Sequence, residues 1–219
     1  LAESSENDRK VIETLGATLA GSDRPLLLTS GTGLVRSKGD RPAMESDEHL
    51  TVAEFRRAAT EDAADALIAA GRRVVVVRLP QVHDTEKQGR LSIHVQLARK
   101  HGRVAYVGDG AQGLPAAHVS DVARLYRLAL EDGRAGARWH AVAEESVSMK
   151  KIAEAIGKRL NLPAVSIDED EAKAYFGPLA MLAAKDLAAS GFFTQRELAW
   201  KPTGPDLLTD LQHLEGSPA

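Results

Sequence analysis

Apolar residues along this chain follow two patterns. Unbroken runs at 26–28 and 74–77, Leu and Val respectively, suit strands buried on both faces. Between them, apolar positions recur at three- and four-residue spacing, which predicts a helix over 52–70 closed by Gly71. Strand, helix, strand is a βαβ unit, and sheets built from such units place ligands beyond the carboxyl ends of their strands. Those ends carry Ser30 and the run Pro80-Gln81-Val82-His83. Helical spacing also predicts a helix over 6–19, with Ile12, Leu15 and Leu19 on one face, and helices over 91–100 and 120–131. Residues 104–107, 140–143 and 165–167 read as further strands. Ser148 is placed to cap a helix ending at Leu160, the acidic run 168–171 favours another helix start, and a last helix is expected over 206–213.

Composition narrows the functional classes. The chain has 219 residues, 43% of them hydrophobic but only 4% aromatic, so its core is expected to be built from Ala, Leu and Val. The net charge of −3 is spread along the chain, which leaves no basic stripe for nucleic acid. There is no cysteine, which excludes disulfides and thiolate metal sites and fits a reducing, cytoplasmic location. The histidines do not stand at metal-ligand spacings, and no metal is expected. No apolar run approaches the ~20 residues that span a bilayer, so no membrane partner is expected.

Four segments in order carry a resemblance. They are Leu28-Thr29-Ser30-Gly31, Arg78-Leu79-Pro80-Gln81-Val82-His83, Gly108-Asp109-Gly110 with His118-Val119-Ser120-Asp121-Val122, and Leu198-Ala199-Trp200-Lys201-Pro202. Together the chain resembles the downstream part of an extended or atypical short-chain dehydrogenase/reductase, the group of NAD-dependent epimerases and dehydratases. The resemblance implies an α/β fold: a Rossmann-like parallel sheet, its carboxyl-terminal half, with a small, mostly helical lobe. Residues 1–85 and 116–145 are expected in the core, and 86–115 and 146–219 in the substrate-side lobe. It implies NAD or NADP as cofactor and a small-molecule substrate. Ser30 would hydrogen-bond the reacting group, and Thr29, Ser30, Gly31, Leu79, Pro80, Gln81 and Val82 would lie against the cofactor. His83, where family members often have tyrosine, is a second catalytic candidate; the alternatives are a strand-end hydroxyl at Ser30 and a surface histidine at 83.

The chain departs from the family pattern twice. The amino-terminal glycine fingerprint is absent, so roughly two βαβ units of ~30 residues each are expected before the first helix. Without them, that helix and the first strand are expected to be covered by a preceding segment or by a second copy in a homodimer. The Tyr-x-x-x-Lys pair is absent as well. Arg57 and Glu61 stand in its place, and an i,i+4 ion pair between them is the expected outcome. A nicotinamide-dependent oxidoreductase or epimerase-like enzyme is therefore one expectation, and a non-catalytic NAD(P)-binding sensor or structural module is the other. A literal Gly-x-Gly-x-x-Gly at Gly108, Gly110 and Gly113 does not open into a helix, because 114–118 intervene, and reads as a surface turn.

Overall fold

In the computed structural model, which describes residues 2–214, the chain begins with α1 (Ala2–Thr18), β1 (Leu26–Gly31), α2 (Ala59–Ala69) and β2 (Val74–Leu79). It continues through β3 (Gln81–His83), α3 (Leu91–His101), β4 (Val104–Val107), β5 (Gly113–His118), α4 (Val119–Asp132) and β6 (Arg138–His140). The last elements are β7 (Glu144–Ser148), α5 (Met149–Leu160), β8 (Ala164–Ile167), α6 (Glu169–Phe176), α7 (Ala180–Ala183), α8 (Phe192–Glu197) and α9 (Leu207–Gln212). Two compact units result. The first holds the chain up to Pro80 with Asp121–Ala141 and Ser190–Lys201; the second holds Gln81–Ser120, Val142–Ala189 and the chain from Pro202 onward. No helix among the described residues is long and apolar enough to cross a membrane.

The first unit is an α/β body on a parallel sheet in the order β1-β2-β6. The valines of β2 are fully buried because this central strand has a neighbour on each side and helices against it. One core cluster joins Ile12 of α1, Leu28, Ala63 and Ala64 of α2, Val74 and Val76. On α1 the inward face is Ser5, Ile12 and Gly16, whereas Leu15 is 44% exposed, which corrects the expected face. A Cβ on Gly16 would collide with the Leu67 side chain, so glycine sets how closely α1 approaches α2. The helix expected from residue 52 starts regularly only at Ala59, after a 3-10 turn at Arg56–Ala58. Glu54 explains the delay: its carboxylate accepts Thr51 N at 2.8 Å and Thr51 Oγ1 at 2.9 Å, closing a separate turn. The third strand is β6 rather than 140–143, and His140 pairs in register with Arg78.

The second unit holds two small sheets, β3-β5-β7 and β4-β8. β4 and β8 are parallel, and β5 runs parallel to β3 but antiparallel to β7. Ser148 caps α5 by accepting Lys151 N, and Ile152, Ala153 and Ile156 form the buried face that the 3.6 period specifies. Leu207 and Leu211 of α9 belong to the same core. Asp168 and Glu171 close a capping box on α6.

The glycine loop is a turn. Gly108 and Gly110 adopt φ of 61° and 70°, and the chain then enters a strand, not a helix. A Cβ on Gly110 would stand 2.6 Å from Lys150 Cβ, and one on Gly113 would overlap Ser146 Oγ. These glycines answer to packing rather than to phosphate.

Candidate functional site

In the first unit the register of the parallel sheet sets a row of polar side chains. Ser30, Arg78 and His140 are cross-strand partners, so their side chains point to one face. All three are buried, at 7%, 0% and 0% exposure. Glu61, also fully buried, reaches the row from α2. Its Oε1 accepts Arg78 Nε at 2.8 Å, and its Oε2 accepts Arg78 Nη2 at 3.3 Å and Arg138 Nε at 3.1 Å. Burial pushes the Glu61 carboxyl up, but the Arg78 guanidinium, Ser30 and Arg138 outweigh it and hold the pKa at about 2. The expected pairing of Glu61 with Arg57 does not form. Arg57 instead lies 3.9 Å from Asp8.

His140 stays neutral. Its Nδ1–H donates to the Ser190 carbonyl at 2.8 Å, which leaves Nε2 unprotonated, 3.5 Å from Arg78 Nη1. Burial, and then the Arg78 charge, lower its pKa to about 3. The Ser30 hydroxyl lies beside the Glu61 carboxylate and helps keep it ionised, yet no hydrogen bond of good geometry reaches its buried Oγ. A polar atom in that condition is the feature a ligand would satisfy.

The strand-end residues divide between environments. Thr29 points to the opposite face from Ser30, and its Oγ1 lies 2.6 Å from the Tyr126 hydroxyl. Gly31 pairs with Leu79, and the nearest atom to a Cβ placed on Gly31 would be the Leu79 carbonyl oxygen at 3.7 Å. Thr29, Ser30, Gly31, Leu79 and Pro80 thus belong to the first unit. Gln81, Val82 and His83 belong to the second, where they pair with Ala116, Ala117 and His118. Gln81 is buried, and its side-chain amide donates to the Gln88 carbonyl at 2.5 Å.

His83 is not on the surface; it is 1% exposed. Its Nδ1 lies 2.7 Å from Asp210 Oδ2, and its Nε2 has no hydrogen-bond partner. Glu144 Oε2 is 4.0 Å from that Nε2, and the His118 ring packs edge-on at 5.7 Å. Burial lowers the His83 pKa against the pull of Asp210. His118 orders the start of α4, with Nδ1 2.8 Å from Ser120 Oγ and accepting Ser120 N at 3.2 Å. No group of His, Cys, Asp or Glu among the described residues is arranged to hold a metal ion.

Sequence reasoning passed over the Glu61–Arg78–Arg138 cluster and the role of Asp210. Arg78 did carry a signal, since an arginine directly after four valines of a buried strand needs a buried counter-ion. Asp210 carried none, being 127 residues from its partner.

No protein-family model matches the chain. An uncharacterized protein of Schizosaccharomyces pombe is 37% identical over 210 residues, covering 95% of this chain and 70% of that protein. An uncharacterized protein of Saccharomyces cerevisiae is 35% identical over 208 residues, covering 94% and 69%. Among solved structures, a double mutant of the dTDP-glucose 4,6-dehydratase of Streptomyces venezuelae, crystallised with NAD, superposes with a TM-score of 0.73 at 17% identity. That match covers 96% of this chain, which spans 65% of the dehydratase. A human epimerase family protein with NADPH superposes at 0.70 with 18% identity, covering 96% of this chain and 72% of that one. At such identities the likeness is one of fold: the short-chain dehydrogenase/reductase, epimerase/dehydratase type of Rossmann sheet.

Proposed function

Because the chain belongs to the family of these two yeast proteins, on a fold of the NAD-dependent epimerase and dehydratase type, we propose that it is an atypical NAD(P)-dependent oxidoreductase or epimerase-like protein acting on a small molecule. The observation that carries the reading is Ser30, a buried hydroxyl without a well-formed hydrogen bond at the carboxyl end of β1. Thr29, Ser30 and Gly31, with Leu79, Pro80, Gln81 and Val82, are the residues we assign to the cofactor. When bound, NAD(P) supplies a centre that accepts or donates hydride. Ser30 contributes a hydroxyl that can donate to a substrate oxygen.

The test is turnover. A substrate screen on the whole protein, read by nicotinamide absorbance, should find an activity that is lost in Ser30→Ala while the fold is kept. Turnover unchanged by that substitution would contradict the assignment of Ser30.

One observation favours a second reading, a non-catalytic NAD(P)-binding module. At neutral pH Glu61 is an ionised carboxylate locked between two guanidiniums and has no proton to give. Arg57 is a permanent cation and cannot shuttle one either. The positions matched to the family's Tyr and Lys therefore supply no acid–base chemistry. Cofactor binding without turnover of any substrate would establish this second reading.

A further inference from the structure

One cation in the second unit lacks a counter-charge. Arg90 stands at the start of α3, half-buried, and forms no hydrogen bond or ion pair among the described residues. Burial lowers its pKa, and no neighbouring group offsets that effect. Arginine stays charged even so, and a desolvated charge without a partner is costly. Arg90 lines a small cavity of about 20 Å3 together with His94 and Lys185.

No acidic residue belongs to the wall of this cavity. The acid next to Lys185, Asp186, is committed to backbone: its Oδ1 accepts Gly113 N at 3.1 Å and Ala188 N at 3.0 Å. Lys185 is exposed and forms no ion pair among the described residues. His94 packs at a tilt on Phe176, 5.3 Å between centroids, and its ring nitrogens have no hydrogen-bond partner among the described residues. Burial, and then the Arg90 charge, lower its pKa to about 4, so at neutral pH the ring is uncharged and keeps one N–H to donate. The rest of the wall is apolar, with Leu114 and Met149 buried and Leu182 half-buried.

A planar carboxylate is the group a guanidinium binds through two parallel hydrogen bonds. The volume exceeds the ~10–15 Å3 that one water needs but is far below the ~300–1,000 Å3 of sites that enclose a whole small molecule. It suits a head group, with the remainder of the ligand lying over the apolar wall. We propose that this cavity binds the carboxylate of a small aliphatic acid, with Arg90 as its ion-pair partner, His94 as a second donor and Lys185 as an outer cation. The site lies wholly in the second unit and does not depend on the NAD(P) assignment. His94 is an internal reporter: an anion beside it opposes the Arg90 charge and favours the imidazolium.

Hexanoate is the probe, titrated into the whole protein by calorimetry and by NMR of the His94 ring, with 1-hexanol as uncharged control and acetate as the head group alone. The expected result is one saturable site for hexanoate, none for hexanol, weaker binding of acetate, and a His94 titration moved to higher pH. Arg90→Gln should weaken hexanoate binding roughly tenfold, as loss of a charge-assisted hydrogen bond does. Lys185→Glu, a surface change, should weaken it roughly fivefold and carries the test if Arg90→Gln does not fold. Absence of saturable binding, equal binding of hexanol or acetate, a His94 titration that does not move, or an affinity unmoved by these substitutions would overturn the proposal.

Discussion

Glu61 is the residue on which the first unit's polar interior turns. It is fully buried, and its two oxygens are shared between Arg78 and Arg138. Removing one partner of such a pair leaves the other charge buried and unmatched, which costs about 3–5 kcal/mol, whereas replacing both with apolar residues is often far cheaper. Glu61→Leu alone should therefore lose more unfolding free energy in urea than Glu61→Leu combined with Arg78→Met. Equal losses would show that the pair is not coupled. At this scale the sequence exposed the candidate hydroxyl, Ser30, because strand ends are legible from hydrophobic runs. It did not expose what surrounds that hydroxyl. Glu61 reads as one more polar position on a helix, and only the packing of α2 on the sheet turns it inward. The surroundings of His83 were hidden in the same way, because its partner Asp210 is distant along the chain.

Among the elements, those with strong local signals stand where the pattern put them. β4 and α5 match their expected spans, and Ser148 and Asp206 are N-caps with side-chain acceptors in place. Ser148→Ala should cost about 1 kcal/mol, seen as a lowered thermal midpoint. β3, β5 and β7 were not legible. They are short, β5 contains Pro115, and β7 begins with two glutamates, so none shows a run or an alternation that separates strand from loop. Their pairing is decided by neighbours far along the chain. The glycine loop allows a sharp contrast. Gly108 has open space around it, while Gly110 packs against Lys150 and Tyr106. Both need positive φ, so Gly108→Ala should cost about 1–2 kcal/mol, and Gly110→Ala should cost more because Lys150 backbone must also move. Similar midpoints for the two variants would count against this account.

For the molecule as a whole, two buried histidines, His83 and His140, and the half-buried His94 set how stability responds to acid. Burial holds His94 at about 4 and, with the Arg78 charge, His140 at about 3, and it lowers His83 too, against an ordinary 6.5. The unfolded chain takes up these protons near 6.5 while the folded chain does not, so the contribution is complete above that value and is lost as pH falls toward the folded values. Glu61, at about 2 against an ordinary 4.5, adds a loss of the same sign at lower pH. His49 is shifted up and acts oppositely, stabilising below 6.5 and losing that contribution as pH rises. Three lowered histidines outweigh one raised. Unfolding free energy should fall between about pH 7.5 and about pH 5, and His140→Asn should flatten that slope. A rise in stability over the same interval would contradict the burial of these rings.

We propose that this chain uses its epimerase-type fold to bind a nicotinamide dinucleotide. Calorimetric titration of the whole protein with NAD and, separately, with NADP tests it most directly. One of the two should give saturable binding at a single site. Absence of saturable binding for both, on protein shown to be folded, would contradict the claim.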